Sequence, residues 1–218
     1  MTTISILFIT IGPSGPHTHT VVFLHGRGDN ARNFAAWLAH WRDTRHRTLK
    51  DAFPSFRWVF PQAPTRKCAS TPDISWPQWF DVWDVRDFGV NEGLQSVGPK
   101  EVDRVVLAGI SMGGATAAHG GRLAAFIGFS CRCPFPGRSL VEMRNVLDLE
   151  NVPDHSHVVQ NTPVLFELCA DDPLVLVQNG RGLRETLRGF GAQVEWKKYP
   201  TEGIGSIRRL VWMMLWTF

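Results

Sequence analysis

The sequence predicts an α/β fold: a mostly parallel central sheet flanked by helices, in a single domain of 218 residues. Short, nearly unbroken runs of Val, Leu, Ile and Phe recur along the chain, as strands buried on both faces of a sheet require. The segments between these runs leave room for helices, and two of them carry a clear 3.6-residue apolar period.

The elements follow in order. "ISILFITI" (4–11) is an apolar run that "PSGP" ends as a turn ends a strand. "TVVFL" (20–24) is the next strand. After Asp29 and Asn30, both good helix caps, Phe34, Trp37, Leu38 and Trp41 fall at i, i+3, i+4 and i+7 and predict an amphipathic helix. "FRWVF" (56–60), "RVVLA" (104–108), "AAFIGF" (124–129) and "PVLFEL" (163–168) read as further buried strands. Leu183, Leu187 and Phe190 share one face of a second helix, and Gly191 stands where a glycine stop belongs. "QVEWKKYP" (193–200) alternates weakly and reads as an edge strand. No internal repeat or linker interrupts the pattern, so residues 1–218 are expected to share one core.

Composition excludes several classes of partner. The 23 basic and 20 acidic side chains are intermixed and leave a net charge of only +3, which argues against nucleic acid. The densest basic stretch, "WRDTRHRTLK" (41–50), contains Asp43, lacks a stacking pattern and reads as a solvated face. Four irregularly spaced cysteines suit buried or free thiols in a reducing, cytoplasmic compartment, and "CRC" (131–133) lacks the paired spacing of a metal site. The first apolar run has neither the basic flank nor the cleavage site of a secretory leader. No run approaches a membrane span, so stable membrane insertion is not expected.

The chemistry centres on "VVLAGISMGGATAAH" (105–119), which reads as strand, tight turn and helix with Ser111 at the tip. Gly109 and Gly113, two residues either side, remove the side chains that would crowd a strained turn and leave the hydroxyl exposed. With glycine near ~7% of residues, this pattern arises by chance in fewer than about one in ten chains of this length. "VVFLHGRGDN" sets His25-Gly26-Arg27-Gly28-Asp29 at the end of an earlier strand, where glycines let backbone amides face a cavity. The amides of Arg27 and Met112 are then the expected pair of oxyanion donors. His25 lies too early to be a base and reads as a hydrogen-bonded strand-end histidine. "CADDPLV" (169–175) follows another strand, and either of its acids could orient an imidazole. Asp172, before Pro173, is the first choice and Asp171 the second.

Taken together, "HTVVFLHGRGD", "FPQAP", "WPQWFDVWD", "GISMGG", "GFSCRCPF" and "DDPLVLVQNGRGLRETLRGFGAQVEWKKYP" resemble the phospholipase/carboxylesterase family, the acyl-protein thioesterase-like branch of the α/β hydrolases. The resemblance runs from about residue 16 to residue 203. It implies the α/β-hydrolase fold, hydrolysis of carboxylic esters or thioesters on a small molecule or an acylated protein, no metal and no organic cofactor. It also implies Ser111 as nucleophile, Asp172 as the acid, Arg27 and Met112 as oxyanion donors, and Trp76, Trp79 and Phe80 as lining of an acyl channel.

The base is missing from this pattern. In this fold the triad runs Ser, Asp, His, yet all eight histidines (17, 19, 25, 40, 46, 119, 155 and 157) precede Asp172. The family's histidine follows "YP", and Ile204 stands in its place. The tail departs as well: "LVWMMLWTF" is apolar on every side, whereas a helix packed on a sheet keeps a polar face. A frame change accounts for both departures. One cytosine placed before a back-translation of residues 204–218 yields HWFNSPAGMDDVVDF, which is amphipathic and starts with histidine. Trp212-Met213-Met214 forces Asp-Asp in that frame whatever codons are chosen elsewhere.

Two crossovers are also short for the family. "SVGPKEV" (96–102) leaves little room for a helix before the Ser111 strand, and the helix after Ser111 ends by "AAHGG" (117–121). The sequence thus supports a serine hydrolase whose base is absent as written. The alternatives are a non-catalytic acyl-binding protein and a defective gene product.

Overall fold

The computed structural model describes residues 7–43, 45–69, 71–80, 102–117, 123–134, 137–146 and 160–200. Its strands are β1 (Phe8–Ile11), β2 (His19–Leu24), β3 (Phe56–Pro61), β4 (Thr65–Cys68), β5 (Thr71–Pro77), β6 (Val102–Ile110), β7 (Leu123–Phe129), β8 (Val164–Cys169) and β9 (Val194–Tyr199). The helices are α1 (Ala31–Ala39), α2 (Leu49–Ala52), α3 (Met112–Ala117), α4 (Leu140–Val146) and α5 (Val177–Gly189).

Seven strands form one sheet in the order β1-β3-β2-β6-β7-β8-β9. Only β1 runs antiparallel, against β3; every other neighbouring pair is parallel. The chain winds outward from β2 to β3, then crosses back to place β6 on the other side of β2. That reversal leaves a crevice between the loops that follow β2 and β6, where ligands bind in open parallel sheets.

Burial on both faces explains the continuous apolar runs. Along β6, Val106, Ala108 and Ile110 join one core cluster, while Leu107 joins the other. Along β7 and β8, Ile127 and Leu165 go to the first cluster, and Phe126 and Phe166 to the second. α1 covers the first face: Phe34 meets Phe23 edge-on with ring centroids 5.0 Å apart, and Phe60 at 6.0 Å. Asn30 caps the helix through a hydrogen bond from the Asn33 amide. The buried face is narrower than the sequence suggested. Phe34 and Leu38 are buried, whereas Trp37 is 40% exposed and Trp41 falls beyond the last helical residue. α5 buries Leu183 and Leu187 on the second face, and Gly191, at φ +87°, turns the chain away after it. β9 is the edge strand that its weak alternation predicted.

The hairpin of β4 and β5 forms a separate two-stranded sheet that the sequence did not signal. β5 is exposed along nearly its whole length, so it leaves no apolar period to read. The four cysteines are buried and unbridged. The shortened crossovers at 96–102 and 117–121 fall largely outside the described residues, and the tail from Ile204 wholly so.

The basic stretch 41–50 is solvated at Arg42, Arg45, His46 and Lys50, but Asp43 is buried. Its carboxylate accepts from the amides of Arg45 (2.9 Å) and Arg47 (2.8 Å) and from Arg47 Nε (2.8 Å). Burial alone would raise its pKa. The backbone and side-chain hydrogen bonds of Arg47 and the Arg45 amide outweigh that and hold it below 3.8. A depressed carboxylate contributes stability above its unfolded pKa and loses it as pH falls through the folded value. We therefore expect Asp43→Ala to lower the thermal midpoint at pH 7. The gap from the parent should persist down to about pH 4 and close only below that, as melts across pH would show.

Candidate active site

Ser111 occupies the single residue between β6 and α3. Its φ of +53° lies in the left-handed region, which a side chain disfavours, and its amide is held by the Phe129 carbonyl at 2.9 Å. The glycines around it are sterically required. A Cβ on Gly109 would stand 2.3 Å from the Gly113 carbonyl carbon; one on Gly113 would meet the carbonyl oxygens of Leu24 and His25 at 2.4 and 2.5 Å. The turn therefore sits directly on the end of β2. On the far side, a Cβ on Gly26 would lie 3.7 Å from Ser111 Cβ, so the His25–Asn30 loop flanks the serine. Ser111 itself is only partly buried.

His25 is fully buried, and both ring nitrogens are engaged. Nε2 accepts from the Ala63 amide at 3.1 Å, which leaves the proton on Nδ1 to donate to the Gly26 carbonyl at 2.7 Å. Burial lowers its pKa and keeps the ring neutral. Its carbonyl accepts from Trp79 Nε1 at 2.8 Å. This is the strand-end histidine that the sequence suggested.

Arg27 lies in the loop after β2, and Met112 is the first residue of α3. The three aromatics expected to line a channel divide. Trp79 and Phe80 pack with Leu24, Leu107 and Met112 in the second core cluster, whereas Trp76 is 42% exposed. Its indole lies against Gly28, whose Cβ would come within 2.9 Å of the ring.

Two strands from Ser111, roughly 10 Å away by sheet spacing, the loop after β8 carries the two acids. Asp171 is exposed and Asp172 is buried at 3%. Asp172 Oδ1 accepts from the amides of Leu174 and Val175, each at 2.9 Å. Oδ2 is buried with no hydrogen-bond partner among the described residues. A carboxylate clamped through one oxygen and unmatched at the other is placed to receive an N–H.

Apart from His25, the described histidines lie away from this edge. His17 and His19 stand at the amino end of β2, His40 caps α1, and His46 is on an exposed loop. His119, His155 and His157 lie outside the described residues, as does Ile204. Among the described residues no group of three or more His, Cys, Asp or Glu could hold a metal ion. No helix among them is long and apolar enough to cross a membrane. Gln78, fully buried beside Trp79, went unnoticed in the sequence because its importance lies in contacts with distant residues.

The chain is similar to known proteins in sequence and in fold. Residues 7–211 match the model of a family described as phospholipase/carboxylesterase. The chain is 27% identical over 216 residues to acyl-protein thioesterase 1 of Gibberella zeae, covering 88% of this chain and 85% of that one. It is 29% identical over 217 residues to a probable inactive carboxylesterase of Oryza sativa, covering 86% and 78%. The crystal structure of acyl-protein thioesterase 2 from Zea mays superposes with a TM-score of 0.69 at 20% identity, over 97% of this chain and 98% of that one.

The close approach at Gly113 sets a direct test. Both oxygens that a new methyl would strike are backbone, so α3 or the end of β2 must shift. We expect Gly113→Ala to destabilise the fold by about 1–3 kcal/mol or more, measured by chemical denaturation.

Proposed function

The chain belongs to the phospholipase/carboxylesterase family, and from that premise we propose that it is built as a serine hydrolase with Ser111 as nucleophile. The fold is the α/β-hydrolase fold, and the family is one of ester and thioester hydrolases. The observation that carries the proposal is the left-handed backbone of Ser111 on its strand-to-helix turn. Strain of that kind persists where the surroundings enforce it, and here Gly109, Gly113 and the end of β2 do so.

The reaction assigns each group a task. Ser111 Oγ attacks the carbonyl carbon of an ester or thioester and loses its proton to a base. The amides of Arg27 and Met112 stabilise the oxyanion as it forms. The intermediate collapses, the C–O or C–S bond breaks, and the leaving oxygen or sulfur takes the proton back from the base. Water then repeats the sequence on the acyl-serine and releases the carboxylic acid. Asp172 is the acid that would orient the base, since its Oδ2 is open to an imidazole N–H while Asp171 faces solvent. Trp76, Trp79 and Phe80 line the acyl side. The substrate is a small ester or an acylated protein, and four buried, unbridged thiols suit the cytoplasm.

What this chain lacks as written is the base. His25 spends both nitrogens on structure, and no histidine follows Asp172. That observation favours a second reading, a non-catalytic protein that keeps an acyl pocket. The two readings meet at the tail. We take residues 1–218 as one hydrolase domain, family-like over 16–203, with 204–218 read in a neighbouring frame.

The chain as written should hydrolyse esters near background and react poorly with fluorophosphonates. Loss of a triad histidine costs on the order of 10⁶ in turnover, leaving about 10³–10⁴ over water from the oxyanion hole and binding. Replacing everything after Gly203 with HWFNSPAGMDDVVDF should restore turnover of a short-chain ester, and Ser111→Ala should abolish it. Asp172→Asn should reduce it by about 10⁴. A soluble, folded, tail-replaced chain that leaves every ester and thioester intact would overturn the hydrolase reading.

A further inference from the structure

We infer that Gln78 is a positioning residue that fixes the Arg27 amide, by stapling the β4–β5 hairpin to the loop after β2. The inference rests on the reading of Arg27 as an oxyanion donor and extends it to the side chains that hold that donor in place.

Gln78 is fully buried, although a side-chain amide is costly to bury unless its polar atoms are matched. Here they are matched across two separate pieces of structure. Oε1 accepts from Arg27 Nε at 3.1 Å, and Nε2 donates to the Lys67 carbonyl in β4 at 3.1 Å. Its own amide donates to the Pro64 carbonyl at 3.0 Å, so Gln78 is anchored at the base of the hairpin it ties down. Arg27 adds further contacts to the same hairpin. Its Nη2 donates to Cys68 Sγ, and its guanidinium carbon lies 5.6 Å from the Trp76 ring centroid. Beside it, the Gly28 amide donates to the Pro77 carbonyl at 2.9 Å.

The geometry has a mechanical consequence. Gly26 and Gly28 flank Arg27 in the loop, and the Arg27 side chain reaches into the hairpin. Trp76, on the proposed acyl side, is wedged between that guanidinium and Gly28. The proposed donor and the proposed acyl wall are therefore coupled, and Gln78 is the buried side chain that bonds to both pieces at once. Removing its side chain frees both Arg27 Nε and the Lys67 carbonyl while leaving Ser111 and Asp172 untouched.

Two measurements test this, with Gln78→Ala as the disrupting variant and Gln78→Glu as the partial one, which keeps an acceptor for Arg27 and loses the donor to the Lys67 carbonyl. In the chain as written, hydrogen exchange of Gln78→Ala should accelerate together at amides 26–29 and across the hairpin, with Gln78→Glu protecting the loop. In the tail-replaced chain, Gln78→Ala should lower kcat by about 10- to 100-fold with little change in KM, as displacement of a positioned group does. Gln78→Glu, which keeps only the Arg27 contact, should recover part of that loss. A purely structural role would change exchange in the hairpin alone, or move the melting temperature without touching kcat, and either result overturns the inference. If Gln78→Ala fails to fold, Arg27→Lys, which keeps the charge and loses the forked contact, must show the same loop exchange. An inert tail-replaced parent refutes the underlying hydrolase reading. An active parent whose turnover Gln78→Ala leaves unchanged refutes this inference alone.

Discussion

No side chain fits between α3 and the end of β2, and most of the candidate site follows from that one exclusion. Gly113 rests on the carbonyls of Leu24 and His25, and Gly109 on the backbone of Gly113. The helix after Ser111 is thereby pressed down onto the switch point of the sheet, where the chain reverses its winding. Ser111 is left to turn the corner with φ +53°, and the loop from His25 to Asn30 is left as the opposite wall. Strand order brings the two loops together, and glycine lets them approach closely.

Around this contact the polar groups are distributed with little redundancy. His25 supplies two hydrogen bonds from its ring and one from its carbonyl, all of them spent on fixing Ala63, Gly26 and Trp79. The wall opposite Ser111 is therefore held by a neutral, tautomer-fixed histidine that cannot also move protons. Asp172 differs: two amides take one oxygen and none takes the other. A structural carboxylate at a loop start would be expected to use both, as Asp43 does. The contrast between these two buried acids in one chain argues that Asp172 serves a partner beyond its own loop.

The sheet was legible because its strands are buried on both faces, so that Val106 and Leu107 are equally apolar although they point into different cores. The nucleophile was legible because sterics at Gly109 and Gly113 leave a fixed spacing in the sequence. What the residues alone left open was decided by contacts that no local pattern records. Asp171 and Asp172 are neighbours of the same type, and only backbone amides two and three residues on distinguish them. Trp76, Trp79 and Phe80 come from one motif, yet one lies on the surface and two lie in the core. The burial of Asp43 and the contacts of Gln78 leave no local pattern for a related reason. A buried polar residue looks like any other until its partners are known, and those of Gln78 lie as far as 51 positions away.

The left-handed backbone at Ser111 bears on the stability of the molecule. Holding a non-glycine residue there costs of order 1–3 kcal/mol, and domains of this kind have only about 5–15 kcal/mol of net stability. Glycine at that position would relieve the strain at once, and an uncharged side chain at 172 would remove an unmatched buried oxygen. Both costs are nevertheless carried in this fold, at the two positions where the sequence alone places a nucleophile and its acid, and a stability screen of Ser111 and Asp172 variants would read them directly.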